Sequence, residues 1–434
     1  MTATLQSQID RLRTLPSRRS SGRVVQVAGS VVCSEGPLCS VGEECVITTA
    51  SGSELAGEVV GFRGSLVLSM PLSSPEGVRY GDRVTTRGVL PSVSVSAEVL
   101  GRVLSGTGSL LDGYPNSRDS HRVPLHGPVP HALARKPITE PLGCGVRAID
   151  ALLTCGRGQR LGIFGGSGVG KTTLIGMMTR ATSADLTVLA LVGERGREVG
   201  EFLTALGPEG RSRSVVVAST SNESPLLRLR AAATATAIAE FFAARGKNVL
   251  LVVDSLTRFA MAQREIGLAA GEPPTAKAYT PSVFSALAKL VERAGNFHNG
   301  SITAFYTVLM EGDDQQDPIV DAVRSLLDGH ILLDRKLANA NHYPPISISD
   351  SLSRLMPAVC SREQLSKAGQ VRRLLALYQR SEDLLRVGAY RSGSDSELDR
   401  AIAVYPEIMS FLQQAPDRRP SIEESIQALS ALPL

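Results

Sequence analysis

Gly165-Gly166-Ser167-Gly168-Val169-Gly170-Lys171-Thr172 is the stretch on which the reading of this chain turns. It has the form G-x-x-x-x-G-K-[ST], in which glycines let successive backbone N–H groups turn inward around a phosphate chain. The lysine then reaches the terminal phosphates, and the hydroxyl ligates Mg²⁺. The flanks agree with that reading. Arg160 to Phe164 reads as a short buried strand, and Thr173 to Arg180 continues as a helix whose N-terminus faces the anion. The stretch therefore predicts a phosphate cradle made by Gly165, Gly166, Ser167, Gly168, Val169, Gly170, Lys171, Thr172 and Thr173, at the end of a strand.

Around the cradle the chain alternates apolar runs with helical stretches. The runs are Leu186 to Val192, Val215 to Ala218, Val249 to Val253, Thr303 to Val308 and His330 to Leu333. Such alternation implies a mostly parallel sheet wrapped by helices, with ligands along the edge where the phosphate loop sits. Two of the runs end in acidic chemistry. Leu250 to Asp254 is an apolar strand closing on a carboxylate, placed to hold Mg²⁺ through a water. Gly193-Glu194-Arg195-Gly196-Arg197-Glu198 follows another strand, which delivers Glu194 to the same edge as Lys171, where a carboxylate can polarise an attacking water. Arg258, four residues past Asp254, is close enough along the chain to approach a terminal phosphate or to hold Glu194; spacing alone leaves a surface helix arginine open.

The rest of the chain is read from composition and pattern. Its 434 residues exceed one ordinary core, so two or three domains are expected. A net charge of +4, from 46 basic and 42 acidic residues, is too thin for a polybasic nucleic-acid binder. Residues 1 to 21 form a basic amphipathic segment, a frayed terminal helix or a docking element for a partner or an anionic lipid surface. Residues 22 to 91 hold short Val-rich runs between Gly and Pro turns, the pattern of a small β-barrel. Phe62 and Tyr80 are its only aromatics, which leaves little for base stacking. Cys33, Cys39 and Cys45 lack C-x-x-C spacing and read as reduced thiols of a cytoplasmic protein. No apolar leader or membrane-length run is present. From Ser92 to Asp150 a connector is expected, including Gly101 to Leu104 and a Pro-rich stretch whose His121, His126 and His131 share no helical face. After Ser361 the chain reads as helical, broken once between Gly388 and Ser396, with nothing that looks catalytic.

Together these motifs resemble the rotary-type ATPase family, most closely its flagellar and type III protein-export branch. The resemblance runs through Gly145-Val146-Arg147-Ala148-Ile149-Asp150, the phosphate loop, Gly193 to Glu198, and Asp254 through Glu265. It continues in Gly267 to Pro274, Glu311-Gly312-Asp313-Asp314 and His342-Tyr343-Pro344, and reaches Gly22 to Val25 and Ser34 to Pro37 in the barrel. It implies an N-terminal β-barrel, a central RecA-like phosphate-loop NTPase domain over 92–360 and a helical C-terminal domain over 361–434. It also implies a homo-hexameric ring that hydrolyses ATP with Mg²⁺ between subunits. By that resemblance Tyr343 is the aromatic that stacks on adenine, and Arg354, in Ser351-Leu352-Ser353-Arg354, is the arginine that reaches into the neighbouring subunit's site. The implied partners are a stator-like regulator on the N-terminal segment, a central stalk protein, the export gate and substrate–chaperone complexes, at the cytoplasmic face of the inner membrane; no nucleic acid is expected.

Flagellar export is the leading expectation and an injectisome ATPase the alternative, with Met261 and the barrel leaning flagellar. A ring-shaped RNA translocase is disfavoured by the barrel's few aromatics and the modest charge. A non-catalytic ring subunit is disfavoured by Lys171, Glu194 and Asp254, since merely holding a nucleotide needs no water-activating carboxylate. One segment departs from the family: Lys277-Ala278-Tyr279-Thr280-Pro281-Ser282 replaces a glycine and a proline of the usual Arg-Gly-Tyr-Pro-Pro-Ser, in a loop expected near the pore or a subunit contact.

Overall fold

A computed structural model describes residues 20–113, 120–314 and 316–434; the basic amphipathic segment lies almost wholly outside the described residues. Six strands, Ser21–Ala28, Val31–Glu35, Glu44–Thr48, Glu54–Arg63, Leu66–Pro71 and Arg83–Thr86, form a closed barrel. Side chains alternate across a strand, so Val24, Val32, Cys45, Ile47, Val59, Val67 and Val84 gather in one core. Closure leaves no strand edge open to pairing. Outside, Val31, Cys33, Leu68 and Met70 pack on Leu226 and Ile266 of the central domain. A buried ion pair, Glu58 with Arg230 at 2.9 Å, fixes that contact.

The central sheet runs in the order Ile346–Ser353, Gly329–Leu333, Arg160–Gly165, Ser301–Leu309, Asn248–Asp254, Leu186–Glu194, Ser214–Thr220, Val103–Ser105. All these neighbours are parallel except the first pair. Helices cover both faces, which is why its strands read as continuous Val, Leu and Ile runs rather than as alternation. The parallel registers bring the C-terminal ends Gly165, Glu194, Asp254 and Leu309 to one edge. One expectation needs correcting. Val103–Ser105, placed by pattern in a connector, is the outermost strand, paired with Val216, Val217 and Ala218. Three residues are too few to display a period. Within the same stretch Ser92–Val95 pairs with His121–Pro124, so His121 lies in a strand.

Helices Arg362–Arg386, Ser396–Leu412 and Ile422–Ser430 make the C-terminal region. The expected break between Gly388 and Ser396 is present, and a second, unforeseen one spans 413–421, where Pro416 and Pro420 interrupt the helix and Ser421 with Glu424 forms a capping box for the last one. Leu374, Ile408, Phe411 and Leu412 are buried, whereas Leu384, near the free end of its helix, is exposed. Gln364 ties this region to the central domain by donating to the Ala151 carbonyl and the Thr154 hydroxyl at 3.1 and 2.9 Å. Among the described residues no helix is long and apolar enough to cross a membrane.

Candidate nucleotide site

The phosphate loop follows the Arg160–Gly165 strand and opens the helix Lys171–Ala181. Gly168 and Gly170 take φ of 77° and 97°, values that only glycine adopts without strain. A Cβ at Gly168 would meet nothing within 4 Å, so the crown of the loop is open. No side chain caps the helix. Its first N–H groups and its dipole therefore face that opening, the ordinary seat for an anion. Lys171 Nζ folds back to donate to the carbonyls of Gly165 and Gly166 at 2.8 and 2.6 Å. Burial lowers Lys171 to about 8 against the opposing charges of Asp254 and Glu194. A polyanion in the loop would compensate that buried ammonium.

The carboxylates are similarly out of their usual range. Asp254 is buried, which raises its pKa, while the Thr307 hydroxyl, donating at 2.5 Å, and Lys171 work the other way. Glu194 is raised by burial and then by its hydrogen bond to Glu198, whose own carboxyl is lowered by the same bond. Arg258 Nε donates to Glu194 Oε1 at 3.0 Å. Arg258 thus holds Glu194, one of the roles that its spacing allows. Ser167, Lys171, Thr172, Glu194, Asp254 and Arg258 line one cleft of about 370 Å³.

The donor set fits a hard divalent cation. The Thr172 hydroxyl and the buried Asp254 carboxylate offer oxygen only, and a cation near Asp254 would offset the desolvation that raises it. Tyr343 sits beside the loop, 3.7 Å from where a Cβ of Gly170 would stand, and its ring is partly exposed. Arg354 is elsewhere. Its strand neighbour Ser353 pairs with Gly329 at the start of Gly329–Leu333, and the Arg354 N–H donates to the Asp328 carbonyl at 3.0 Å. That is the N-terminal edge of the sheet, opposite the cleft.

Pattern reading did not single out Thr307, which holds Asp254 from within an apolar strand and gives no sequence signal. Nor did it assign Arg335, whose guanidinium donates to the Ser167 carbonyl at 3.3 Å from the segment that also carries Tyr343. Glu198 could have been found, since it lies four residues after Glu194.

Comparison with known proteins agrees with this arrangement. Residues 24–88 match the β-barrel domain and 145–353 the nucleotide-binding domain of the ATP synthase alpha/beta family. Residues 360–431 match the T3SS EscN ATPase C-terminal domain. The flagellum-specific ATP synthase of Bacillus subtilis is 49% identical over 430 residues, covering 98% of each chain. A type 3 secretion system ATPase of Xanthomonas euvesicatoria is 46% identical over 434 residues, 99% of this chain and 98% of its own. The assembled ATPase EscN of enteropathogenic E. coli superposes with a TM-score of 0.90 at 44% identity, over 94% of this chain and 98% of its own. EscN in complex with its central stalk EscO gives 0.86 at 43%, with the same coverage.

Proposed function

The chain belongs to the flagellar and type III secretion ATPases of the ATP synthase alpha/beta family, and from that premise we propose that it hydrolyses Mg-ATP at the subunit interfaces of a homo-hexameric ring. The observation that carries the interfacial part is the place of Arg354, at the sheet edge opposite Lys171. From there it cannot serve its own cleft, but it is exposed to serve a neighbour's.

In this reading the loop N–H groups and Lys171 hold the phosphates, and Lys171 exchanges its two loop carbonyls for phosphate oxygens. Thr172 and, through water, Asp254 would hold Mg²⁺, which would supply charge neutralisation on the phosphates. Glu194, once ionised, orients the attacking water, and Arg258 fixes the direction of its carboxylate. A neighbour's Arg354 offsets the charge that develops on the transferred phosphoryl, an effect on the order of 10³ to 10⁵ in turnover. Tyr343 carries the adenine. The element pattern supports functional units at 22–91, 92–360 and 361–434.

The cycle energises or assists delivery of export substrates, with the flagellar system as the leading reading and an injectisome as the alternative, since relatives of both kinds reach 49% identity. A central stalk protein in the ring is supported by the EscN–EscO complex. A stator-like regulator on the N-terminal segment, the export gate, substrate–chaperone complexes on the C-terminal helices and a peripheral place at the inner membrane complete the proposal. Its test is Mg-ATP turnover against protein concentration, with oligomer mass recorded. Specific activity should rise as the ring forms, and Arg354→Ala should abolish that rise while nucleotide binding persists. Turnover that is independent of concentration and survives Arg354→Ala would refute the interfacial site.

A further inference from the structure

The turn between the last two helices carries Gln414, a buried glutamine. Every hydrogen-bonding group of its side chain is engaged. Oε1 accepts from the Arg147 N–H at 2.8 Å, and Nε2 donates to the carbonyls of Gly145 and Arg418 at 2.8 and 3.0 Å. Its backbone N–H donates to the carbonyl of Tyr343 at 2.9 Å. One residue of the C-terminal region thus grips both the segment that leads to the phosphate loop and the residue proposed as the base platform. Gly145 is itself pressed on the phosphate-loop helix, since a Cβ there would stand 2.1 Å from that of Ala181. A second tie lies alongside, with Arg180 of the same helix donating to the Pro416 carbonyl at 2.9 Å.

We infer that Gln414 is a positioning residue for nucleotide binding: it locks Tyr343 to the phosphate-loop framework, so that the C-terminal region sets how well the site holds the base. The inference rests on the reading of Tyr343 as the adenine platform. The physical argument is one of freedom. Tyr343 is partly exposed and lies in the segment 334–345 whose ends are joined by the Asp334 N–H to Pro345 carbonyl bond at 2.8 Å. Arg335 holds the start of that segment to the Ser167 carbonyl, and the Gln414 contact is the hold at Tyr343 itself. A platform that must be ordered on each binding event loses affinity in proportion to the fraction of time it is out of place.

The test compares the full-length chain with its Gln414→Met, Gln414→Glu and Tyr343→Ala variants, measuring affinity for ATP and for inorganic tripolyphosphate, which has no base. Gln414→Met keeps the shape and loses the side-chain bonds; Gln414→Glu keeps the acceptor and sets an oxygen against two carbonyls. Tyr343→Ala should lower the ATP to tripolyphosphate preference about tenfold, the scale of one aromatic–base stack. Gln414→Met should lower it about threefold with tripolyphosphate affinity unchanged, and should add little in the Tyr343→Ala background, because the two act as a unit. Since the chain has no tryptophan, a Tyr343→Trp variant reports the platform directly: ATP should quench its emission, and less so once Gln414→Met is added. If Tyr343→Ala leaves the preference intact, the base-platform reading fails and takes this inference with it. If Tyr343→Ala lowers the preference but folded Gln414→Met does not, or weakens both ligands equally, Gln414 only joins domains and the inference alone is overturned.

Discussion

The two edges of the central sheet hold their charges in opposite ways. At the N-terminal edge Arg160 meets Glu292 at 2.6 Å and Asp328 at 3.1 Å, and Arg135 also meets Glu292, at 3.0 Å. Burial pulls Arg160 down, but the hydrogen bond and charge of Asp328, with Glu292, outweigh it and hold the guanidinium above its usual value. At the C-terminal edge burial wins instead: Lys171 is lowered and Glu194 and Asp254 are raised, so each is poorly compensated by what surrounds it. Charges satisfied within the chain stabilise a fold, whereas charges left wanting a partner are prepared for a ligand. Arg354 stands at the satisfied edge, yet its guanidinium makes no ion pair or hydrogen bond among the described residues. It is the exception that the opposite edge of a neighbour would resolve.

The contrast can be broken most forcefully at Glu194. Glu194→Gln should cut turnover by about 10² to 10⁴ while ATP still binds, as measured by steady-state kinetics beside equilibrium binding. Loss of binding in step with turnover would make Glu194 part of the stabilising network instead. Next, Arg160→Ala and Arg258→Ala should separate. The first leaves Asp328 and Glu292 short of a partner and should cost about 1 to 3 kcal/mol of unfolding free energy, with turnover per folded chain kept. The second should leave denaturation nearly unchanged and lower kcat, because it frees Glu194. Equal effects of the two on stability would erase the distinction between the edges.

A subtler sharpening comes from pH. Burial raises Glu194, so the ionised form proposed to orient water is gained only as pH climbs through that raised value. kcat/KM should therefore keep rising beyond the ordinary carboxylate range, and a profile already flat from about pH 5 upward would contradict the account. The smallest effect is expected outside the cleft lining, where Lys277 and Ala278 adopt φ of 50° and 59°. Ala278 thus occupies a left-handed position at the place where the family usually has glycine, held by Lys277 Nζ on Asp317 and Asp314 at 2.8 and 3.0 Å. Ala278→Gly should raise the unfolding free energy by about 0.5 to 1 kcal/mol, read by chemical denaturation, since the strain relieved slightly exceeds the freedom glycine adds to the unfolded chain.

What could be read from sequence follows the length scale of each signal. The phosphate loop is a contiguous pattern tied to one chemistry, and the long apolar runs are strands because a sheet covered on both faces demands them. Val103–Ser105 was hidden because three residues carry no period, and the pause at 413–421 was passed over although Pro416 and Pro420 stand in it. Within the cleft, Lys171 and Thr172 were legible from the loop motif, and Glu194 and Asp254 from strand ends. Thr307, Arg335 and Gln414 were not, because Asp254, Ser167 and Tyr343, the site residues they hold, lie 53, 168 and 71 residues away and only the fold brings them together.

Mixing two inactive variants tests the central claim most directly. Glu194→Gln chains keep Arg354, and Arg354→Ala chains keep Glu194, so a shared ring restores both at roughly a quarter of its interfaces if subunits mix at random. The account predicts that turnover, negligible for either variant alone, returns on co-assembly to a substantial fraction of the wild-type value. A mixture as inactive as its parts, in rings shown by mass to contain both chains, would contradict a catalytic site completed by Arg354 of the next subunit.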